Sequence, residues 1–288
     1  MRQVIVSAVL LAGLALSGCA VSVAAPPPTP TATTTSASAS AATPSTDPSR
    51  SPTPTPSPTP SRDSGPLSVV GIGDSVMAGT HCDCAGPMAA YADLLARSTG
   101  RRVSQRSFGV NGGTTASVLT QTDSDPVRGA LQQADVVVVI IGANDLTPDE
   151  QKFSASSCNA ACYQPDVNAM GDRLGQLLDR VAALGASRHP VVLVTGYWDL
   201  FAEAGLSRSG PDSEQLRWQE TITDAANVAI KREALSHGDV YVDLVAPFRG
   251  PDGQDDPTGL LASDGDHPSA AGVQVLAKAL VAARPTMP

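Results

Sequence analysis

Residues 67–288 alternate between two patterns of hydrophobic side chains. Short apolar runs predict strands, and longer segments with apolar positions three and four residues apart predict helices. The run Asp135–Ile141 is apolar after its first residue, which is typical of a strand buried on both faces. The predicted strands are Leu67–Ile72, Val103–Phe108, Asp135–Ile141, Val191–Thr195 and Val240–Leu244, and the predicted helices are Pro87–Ser98, Val167–Leu184, Asp212–Ser236 and Ala270–Ala283.

The alternation of strands with helices predicts an α/β fold over 67–288. Parallel strands need crossover connections, so helices are expected on both faces of one parallel sheet. Ligands of such sheets bind beyond the carboxyl ends of the strands. Functional side chains are therefore expected directly after each strand.

The first 18 residues predict a signal peptide. The apolar run Val4–Leu16 suits the hydrophobic region of an export signal and is too short to span a bilayer. The Leu-Ser-Gly sequence before Cys19 resembles the lipobox of bacterial lipoproteins, which implies cleavage before Cys19 and lipid attachment to it. We expect an exported protein held by this lipid at the outer face of the cell membrane. Secretion without an anchor is the alternative.

Residues 19–66 predict a linker without a packed core. Pro, Thr, Ser and Ala dominate this segment, and 12 of the 24 prolines lie between Pro26 and Pro66. Such composition favours extended polyproline II and allows a reach of at most about 150 Å.

The charge of the chain lies in its folded part. Residues 67–288 contain 16 basic and 26 acidic residues, and aromatic residues make up only 3% of the chain. This composition argues against a nucleic-acid partner.

Polar residues follow three of the predicted strands. Ser75 follows the first strand, at the start of a helix where backbone N–H groups are free. The glycine-rich run Gly112–Thr115 follows the second strand, and Asn144 follows the third, where its amide can face a developing negative charge. Each feature taken alone is also compatible with an ordinary turn or helix cap.

A histidine and a carboxylate precede the last predicted helix. Asp264 lies three residues before His267, so its carboxylate can orient the imidazole and stabilise the protonated ring. The other histidines, His81, His189 and His237, lack such a partner in the sequence and are interpreted as surface or loop residues.

In chain order, Gly-Asp-Ser, a glycine-rich loop, Gly-x-Asn-Asp and Asp-x-x-His-Pro resemble the SGNH hydrolases, also called the GDSL family of esterases and lipases. The resemblance covers essentially all of 67–288. It implies that Ser75 is the nucleophile, His267 the general base and acid, and Asp264 the carboxylate that orients His267. It also implies a three-layer α/β/α sandwich around a five-stranded parallel sheet, flavodoxin-like in type, and no metal or other cofactor.

The same resemblance implies three donors to an oxyanion. They are the backbone N–H groups of Ser75 and Gly112 and the side-chain amide of Asn144. Gly113 stands beside Gly112, which leaves open which of the two glycines supplies the backbone donor.

Four further cysteines lie in the folded part, and an oxidising compartment favours two disulfides. A bridge between Cys82 and Cys84 would close a small strained ring, which favours cross-pairing of these two with Cys158 and Cys162. Local closure of Cys158 with Cys162 is also possible. A four-cysteine zinc site is the alternative that the compartment disfavours.

The substrate is less well defined than the chemistry. Tyr197 and Trp198 follow the fourth strand and are candidates both for a substrate pocket and for core packing. We expect a monomeric esterase acting on acyl or acetyl esters of small molecules or glycans. The alternatives are acyl or acetyl transfer to cell-envelope glycans and an inactive envelope-binding lipoprotein. The complete set of site residues argues against inactivity.

Overall fold

Five parallel strands in the order β2-β1-β3-β4-β5 form the centre of the computed structural model, which describes residues 65–154, 158–201 and 213–284. This is the strand order of flavodoxin-like folds, and its topological switch point lies between β1 and β3. The strands are β1 (Leu67–Gly73), β2 (Val103–Gly109), β3 (Val136–Ile140), β4 (Val191–Thr195) and β5 (Val240–Val242).

Helices cover both faces of this sheet. The chain contains α1 (Ser75–Ala78), α2 (Pro87–Thr99), α3 (Thr115–Gln121), α4 (Asp125–Leu131), α5 (Thr147–Ser154), α6 (Ala160–Leu184), α7 (Ser213–Ser236), α8 (Val245–Arg249) and α9 (Ala270–Ala283). Helices α2 and α9 pack together in one layer, and α3, α6 and α7 pack together in the other. The predicted three-layer α/β/α sandwich around a five-stranded parallel sheet is therefore confirmed.

The core lies between the sheet and its two helical layers. Every residue of β3 is at most 1% exposed, as its uninterrupted apolar sequence predicts. Strand β2 lies at the edge of the sheet and exposes four consecutive residues, Ser104–Ser107. Polar and charged residues on an edge strand discourage pairing with another chain.

The predicted strands and helices agree with the structure apart from their ends and four short helices. Helix α6 begins at Ala160, seven residues before the predicted start, because the Asn159 side chain caps it by accepting the N–H of Ala161. Helices α3, α4, α5 and α8 have at most eight residues each and were not predicted. Thr114 and Ser117 start α3 through reciprocal hydrogen bonds, a local signal without long apolar periodicity.

Several sequence predictions concern the N-terminal part of the chain. The signal peptide (1–18), the lipidated Cys19 and the linker as far as Ser64 lie outside the described residues, as does Asp212, the predicted start of α7. Within the described ranges, no helix combines the length and the apolar composition that crossing a bilayer requires.

Two local disulfides join Cys82 to Cys84 and Cys158 to Cys162. The expected cross-pairing between the two clusters is therefore wrong. Asp83 adopts a left-handed φ of 50°, and this tight turn brings the Cα atoms of Cys82 and Cys84 within 5.2 Å. Because the cysteines are paired within each cluster, they do not form the four-cysteine site that zinc binding would need.

We expect tryptic peptides that contain Cys82 and Cys84 to separate, without reductant, from peptides that contain Cys158 and Cys162. Mass spectrometry of the unreduced digest checks this, and a peptide linking the two clusters would contradict it.

Reduction should lower the free energy of unfolding by about 2 kcal/mol per disulfide, because such short loops constrain the unfolded chain only modestly. A chelator under non-reducing conditions is the control.

Candidate active site

Ser75 lies where β1 turns into α1. Strand β1 ends at Gly73, and any side chain there would collide with the backbone carbonyl of Ile140 in β3. The next residue, Asp74, caps α1, because its Oδ1 atom accepts the N–H of Val76 at 2.9 Å. Ser75 is thus the first residue of the helix and lines a cavity beyond the carboxyl end of the sheet.

Two hydrogen bonds connect Ser75, His267 and Asp264. The Oγ atom of Ser75 lies 2.7 Å from Nε2 of His267, and Nδ1 of His267 lies 2.6 Å from Oδ2 of Asp264. The backbone N–H of His267 also donates to Oδ1 of Asp264 at 3.2 Å. The structure therefore brings the three predicted residues together, although Ser75 and His267 are 192 positions apart in the chain.

Asp264 is the carboxylate in direct contact with the imidazole. Burial alone would raise its pKa, but hydrogen bonds from His267 and from the N–H of Asp266 hold the pKa of Asp264 below its ordinary value. The Asp266 carboxylate lies 3.7 Å from Nδ1 of His267, beyond hydrogen-bond distance. Burial and the neighbouring Asp264 raise the pKa of Asp266.

A second histidine, His81, lies beside this pair. It is an exposed loop residue, as expected, but folding gives it an acidic neighbour that the sequence does not indicate. Its Nε2 atom lies 3.8 Å from Oδ2 of Asp264, and its ring centroid lies 5.5 Å from that of His267. The three side chains hold potential metal-ligand atoms within 4.8 Å of one another, but two of them are engaged in the hydrogen bonds to Ser75 and each other. Nothing near His81 in the sequence signals this proximity, because it arises from folding.

Two loops beside Ser75 carry the other predicted donors. The amide of Asn144 donates to the carbonyl of Gly113 at 3.0 Å, and a carboxamide has a second N–H for another acceptor. The N–H of Gly113 donates to the carbonyl of Val110 at 2.8 Å. Gly112, at a φ of 70°, has an N–H that bonds no other described residue. Gly112 is therefore the glycine with an available donor, although it does not line the cavity itself.

Asp145 holds the Asn144 loop against the glycine-rich loop, a role that the sequence analysis missed. Its carboxylate accepts the backbone N–H and the hydroxyl of Thr115 at 2.9 and 2.6 Å, and it pairs with Arg173 at 3.1 Å. The carboxylate is thus bonded to the start of α3 and to α6 at once. Its only sequence signal is its place after Asn144 in the Gly-x-Asn-Asp motif.

The Tyr197 hydroxyl donates a hydrogen bond to Oδ2 of Asp74 and connects the end of β4 with the Ser75 turn. Burial raises the pKa of Asp74 to about 6, although the hydrogen bonds from Tyr197 and Val76 oppose this rise. Burial and the nearby Asp74 also raise the pKa of Tyr197. The backbone N–H and carbonyl of Tyr197 bond to the Asn227 amide at 2.9 and 2.8 Å, which fixes the ring in place.

A cavity of about 240 Å³ opens beside Ser75. Tyr197 and Trp198 line it and are only 1% and 3% exposed, so they belong both to its wall and to the core. Glu150 and Asp266 also line the cavity, and burial together with Asp266 raises the pKa of Glu150. No Lys or Arg lies among the described residues of the lining. The site is therefore small and acidic.

The sequence matches the GDSL-like lipase/acylhydrolase family over residues 72–275. This match covers most of the chain and includes Ser75, Asn144 and His267. The protein therefore belongs to the GDSL-like lipase/acylhydrolase family and is an SGNH-type serine hydrolase. A comparison with curated proteins finds no significant match.

Solved structures share the fold. A lipase from a goat rumen metagenome has 18% sequence identity and a TM-score of 0.62, over 75% of this chain and 97% of that chain. An acetyl xylan esterase from Geobacillus stearothermophilus, solved as a variant, has 19% identity and a TM-score of 0.54, over 76% and 95%. A lipase/acylhydrolase from Enterococcus faecalis has 18% identity and a TM-score of 0.51, over 75% and 94%.

We expect the substitution Asp74→Asn to stabilise the protein increasingly as the pH rises from 4 to 7. Because the pKa of Asp74 is about 6 in the folded chain and 3.8 ordinarily, the folded state holds the extra proton between these values. The contribution of Asp74 to the stability of the unmodified protein therefore falls with rising pH across that window, by roughly 3 kcal/mol. Asparagine does not titrate and keeps an oxygen for the Val76 N–H.

Urea unfolding at several pH values between 4 and 7 measures this difference. Tyr197→Phe serves as the companion variant: it removes a hydrogen bond that favours the ionised carboxylate, so the loss of stability should extend to higher pH. A difference between Asp74→Asn and the unmodified protein that does not change with pH would contradict the prediction.

Proposed function

We propose that the protein is a serine esterase that hydrolyses carboxylic esters through an acyl-enzyme on Ser75. The observation that carries the proposal is the hydrogen-bonded chain from Ser75 through His267 to Asp264, with distances of 2.7 and 2.6 Å. A serine hydroxyl is a weak nucleophile unless an adjacent base removes its proton, and an imidazole oriented by a carboxylate is such a base.

In the first half of the reaction, Oγ of Ser75 attacks the ester carbonyl while Nε2 of His267 accepts the hydroxyl proton. The negative charge of Asp264 stabilises the imidazolium that results. The imidazolium then gives its proton to the departing alcohol, and the acyl group stays on Ser75. In the second half, His267 takes a proton from water as the water oxygen attacks the acyl-enzyme carbonyl. The imidazolium then gives that proton to Oγ of Ser75 as the acyl–Oγ bond breaks, which releases the carboxylic acid and restores the free enzyme.

The tetrahedral intermediates place a negative charge on the former carbonyl oxygen. The proposed donors to it are the N–H groups of Ser75 and Gly112 and the second N–H of the Asn144 amide. Asn144 is held by its bond to Gly113, so it needs little reorganisation during the reaction. A donor of this kind typically lowers the barrier by about 3 kcal/mol.

The substrate that we propose is a small acyl or acetyl ester of a small molecule or glycan. A cavity of about 240 Å³ suits a short acyl group better than a long chain. Glu150 and Asp266 disfavour a negatively charged substrate. The names of two structural neighbours, an acetyl xylan esterase and a lipase, are consistent with this ester class.

We expect Ser75→Ala and His267→Ala each to lower kcat/KM for a short-chain aryl ester by at least about 1,000-fold, since each removes the nucleophile or its base. The loss of kcat/KM in Asp264→Asn should be smaller than in these two variants by about one to two orders of magnitude, because the imidazole remains but loses its orienting charge. Asp266→Asn should change kcat/KM less than tenfold.

The measurement is steady-state hydrolysis by the four variants, with Ser236→Ala as the control for an exposed serine far from the site. A fluorophosphonate should label the unmodified protein and not Ser75→Ala. Turnover by Ser75→Ala equal to that of the unmodified protein would disprove the proposed nucleophile. An Asp266→Asn variant more impaired than Asp264→Asn would show that Asp266 orients His267.

We also propose that the protein is exported and anchored to the membrane by lipid on Cys19. The proposal rests on the apolar run and the Leu-Ser-Gly-Cys sequence of the N-terminus. In a bacterial host, radiolabelled palmitate should enter the unmodified protein and not the Cys19→Ala variant. Equal labelling of the two proteins would contradict the proposed anchor.

A further inference from the structure

Basic residues are unevenly distributed over the folded part of the chain. Residues 94–122 and 268–288 together contain six basic residues and neither Asp nor Glu. The rest of 67–288 contains 10 basic and 26 acidic residues. The first of these segments includes the end of α2 and the second includes α9, and α2 packs directly against α9. Folding therefore brings a cation from each segment, Arg97 and Lys278, to one place on an acidic protein.

A surface groove of about 400 Å³ lies between α2 and α9, and we call it the basic groove. Its base is apolar, and Arg97 and Lys278 stand exposed along it. Neither of these two cations forms an ion pair with another described residue. The residues that line the basic groove are Leu94, Arg97, Ser98, Lys278, Val281 and Ala282.

The basic groove lies towards the amino ends of the strands, where the chain enters the fold. Arg101 donates from Nη2 to the carbonyl of Gly65 at 3.1 Å, and the carbonyl of Arg102 accepts the N–H of Leu67. The active site lies at the carboxyl ends of the strands. Helix α9 begins just after His267 and has 14 residues, so it runs about 20 Å from the active site towards the amino ends of the strands.

We propose that the basic groove docks the folded part of the protein on an anionic phospholipid bilayer. Arg97 and Lys278 face lipid phosphates, with Arg101 and Arg102 beside them at the amino ends of the strands. The apolar base of the groove, formed by residues such as Leu94 and Val281, contacts the boundary between headgroups and acyl chains.

Charge complementarity favours this partner and also sets the orientation. The folded part carries an excess of ten acidic residues, so an anionic surface repels it overall and favours an approach through the basic groove. Docking in that orientation points the cavity at Ser75 away from the membrane. The segment that leads to Cys19 joins the fold at Gly65, on the docked side.

The docking surface is small, and the proposed anchor explains how a weak contact is enough. A lipid on Cys19 holds the domain within the reach of its linker, which turns docking into an intramolecular step with a high effective concentration. The docking itself depends on the basic groove alone, and so it is tested without the lipid.

The test uses the chain from residue 20 onward, which contains every described residue and carries no lipid. Sedimentation with vesicles measures its binding to phosphatidylcholine mixed with phosphatidylglycerol and to phosphatidylcholine alone. We expect binding only to the anionic vesicles, and weaker binding as salt is added. Arg97→Gln with Lys278→Gln should weaken binding at least tenfold, because each cation at an anionic surface strengthens binding about fivefold. Ala282→Glu should also weaken it.

The matched control is Arg217→Gln with Lys231→Gln, which removes the same charge from α7 in the other helical layer. This control should bind anionic vesicles nearly as tightly as the unmodified chain and much more tightly than the groove variant, and every variant should hydrolyse a soluble ester at the unmodified rate. Equal binding to both vesicle types, or equal loss in the groove variant and the control, would overturn the proposal. Self-association through the groove, detected by light scattering and abolished in the groove variant, would overturn it in favour of a second copy as the occupant.

Discussion

The pairing of β1 with β3 is the constraint on which the active site depends. The two strands are in register from Val69 opposite Val136 to Gly73 opposite Ile140. At the last pair the backbones come so close that only glycine fits at position 73, and the N–H of Asp74 then donates to the carbonyl of Ile140 at 3.0 Å. This contact determines where β1 ends and hence where Ser75 emerges. It lies at the topological switch point, where the loops diverge and leave room for a ligand.

Polar contacts hold the loops around that point to one another. The carboxylate of Asp145 joins the loop after β3 to the start of α3, and Asn144 bonds across to Gly113. Tyr197 reaches from the end of β4 to Asp74. These contacts link segments that are far apart in the chain, and each satisfies a polar group that would otherwise be buried at considerable free-energy cost. Ser75, Asn144 and the glycine-rich loop are thereby held in place before any substrate binds.

The two ends of the parallel strands have different surroundings. The carboxyl ends lie beside the small cavity, lined by Glu150 and Asp266 and by no Lys or Arg among the described residues. The amino ends, where the chain enters the fold, lie beside Arg97, Lys278 and the arginines before β2. Because all strands point the same way, these two sites are separated by the length of the strands. One topology therefore allows one end to perform ester chemistry while the other end is free to meet a charged surface.

The sequence by itself determined the strands, the longer helices and which residues beyond the strand ends are candidates for the site. Uninterrupted apolar runs such as that of β3 are local signals, and Ser75, Asn144, Asp264 and His267 stand in motifs readable without coordinates. Short helices such as α3 escaped, because a cap and two turns leave too little periodicity to detect.

Only the tertiary structure decided which side chains meet across long stretches of chain. It placed His81 beside Asp264, Tyr197 against Asp74 and Asp145 between two loops, and none of these pairings has a spacing that marks it. It also overturned the expected disulfide pairing, because the left-handed turn at Asp83 brings Cys82 and Cys84 close enough to pair with each other. Local patterns depend on neighbours in sequence, whereas these contacts depend on strand order and loop paths, which arise from packing the whole sheet.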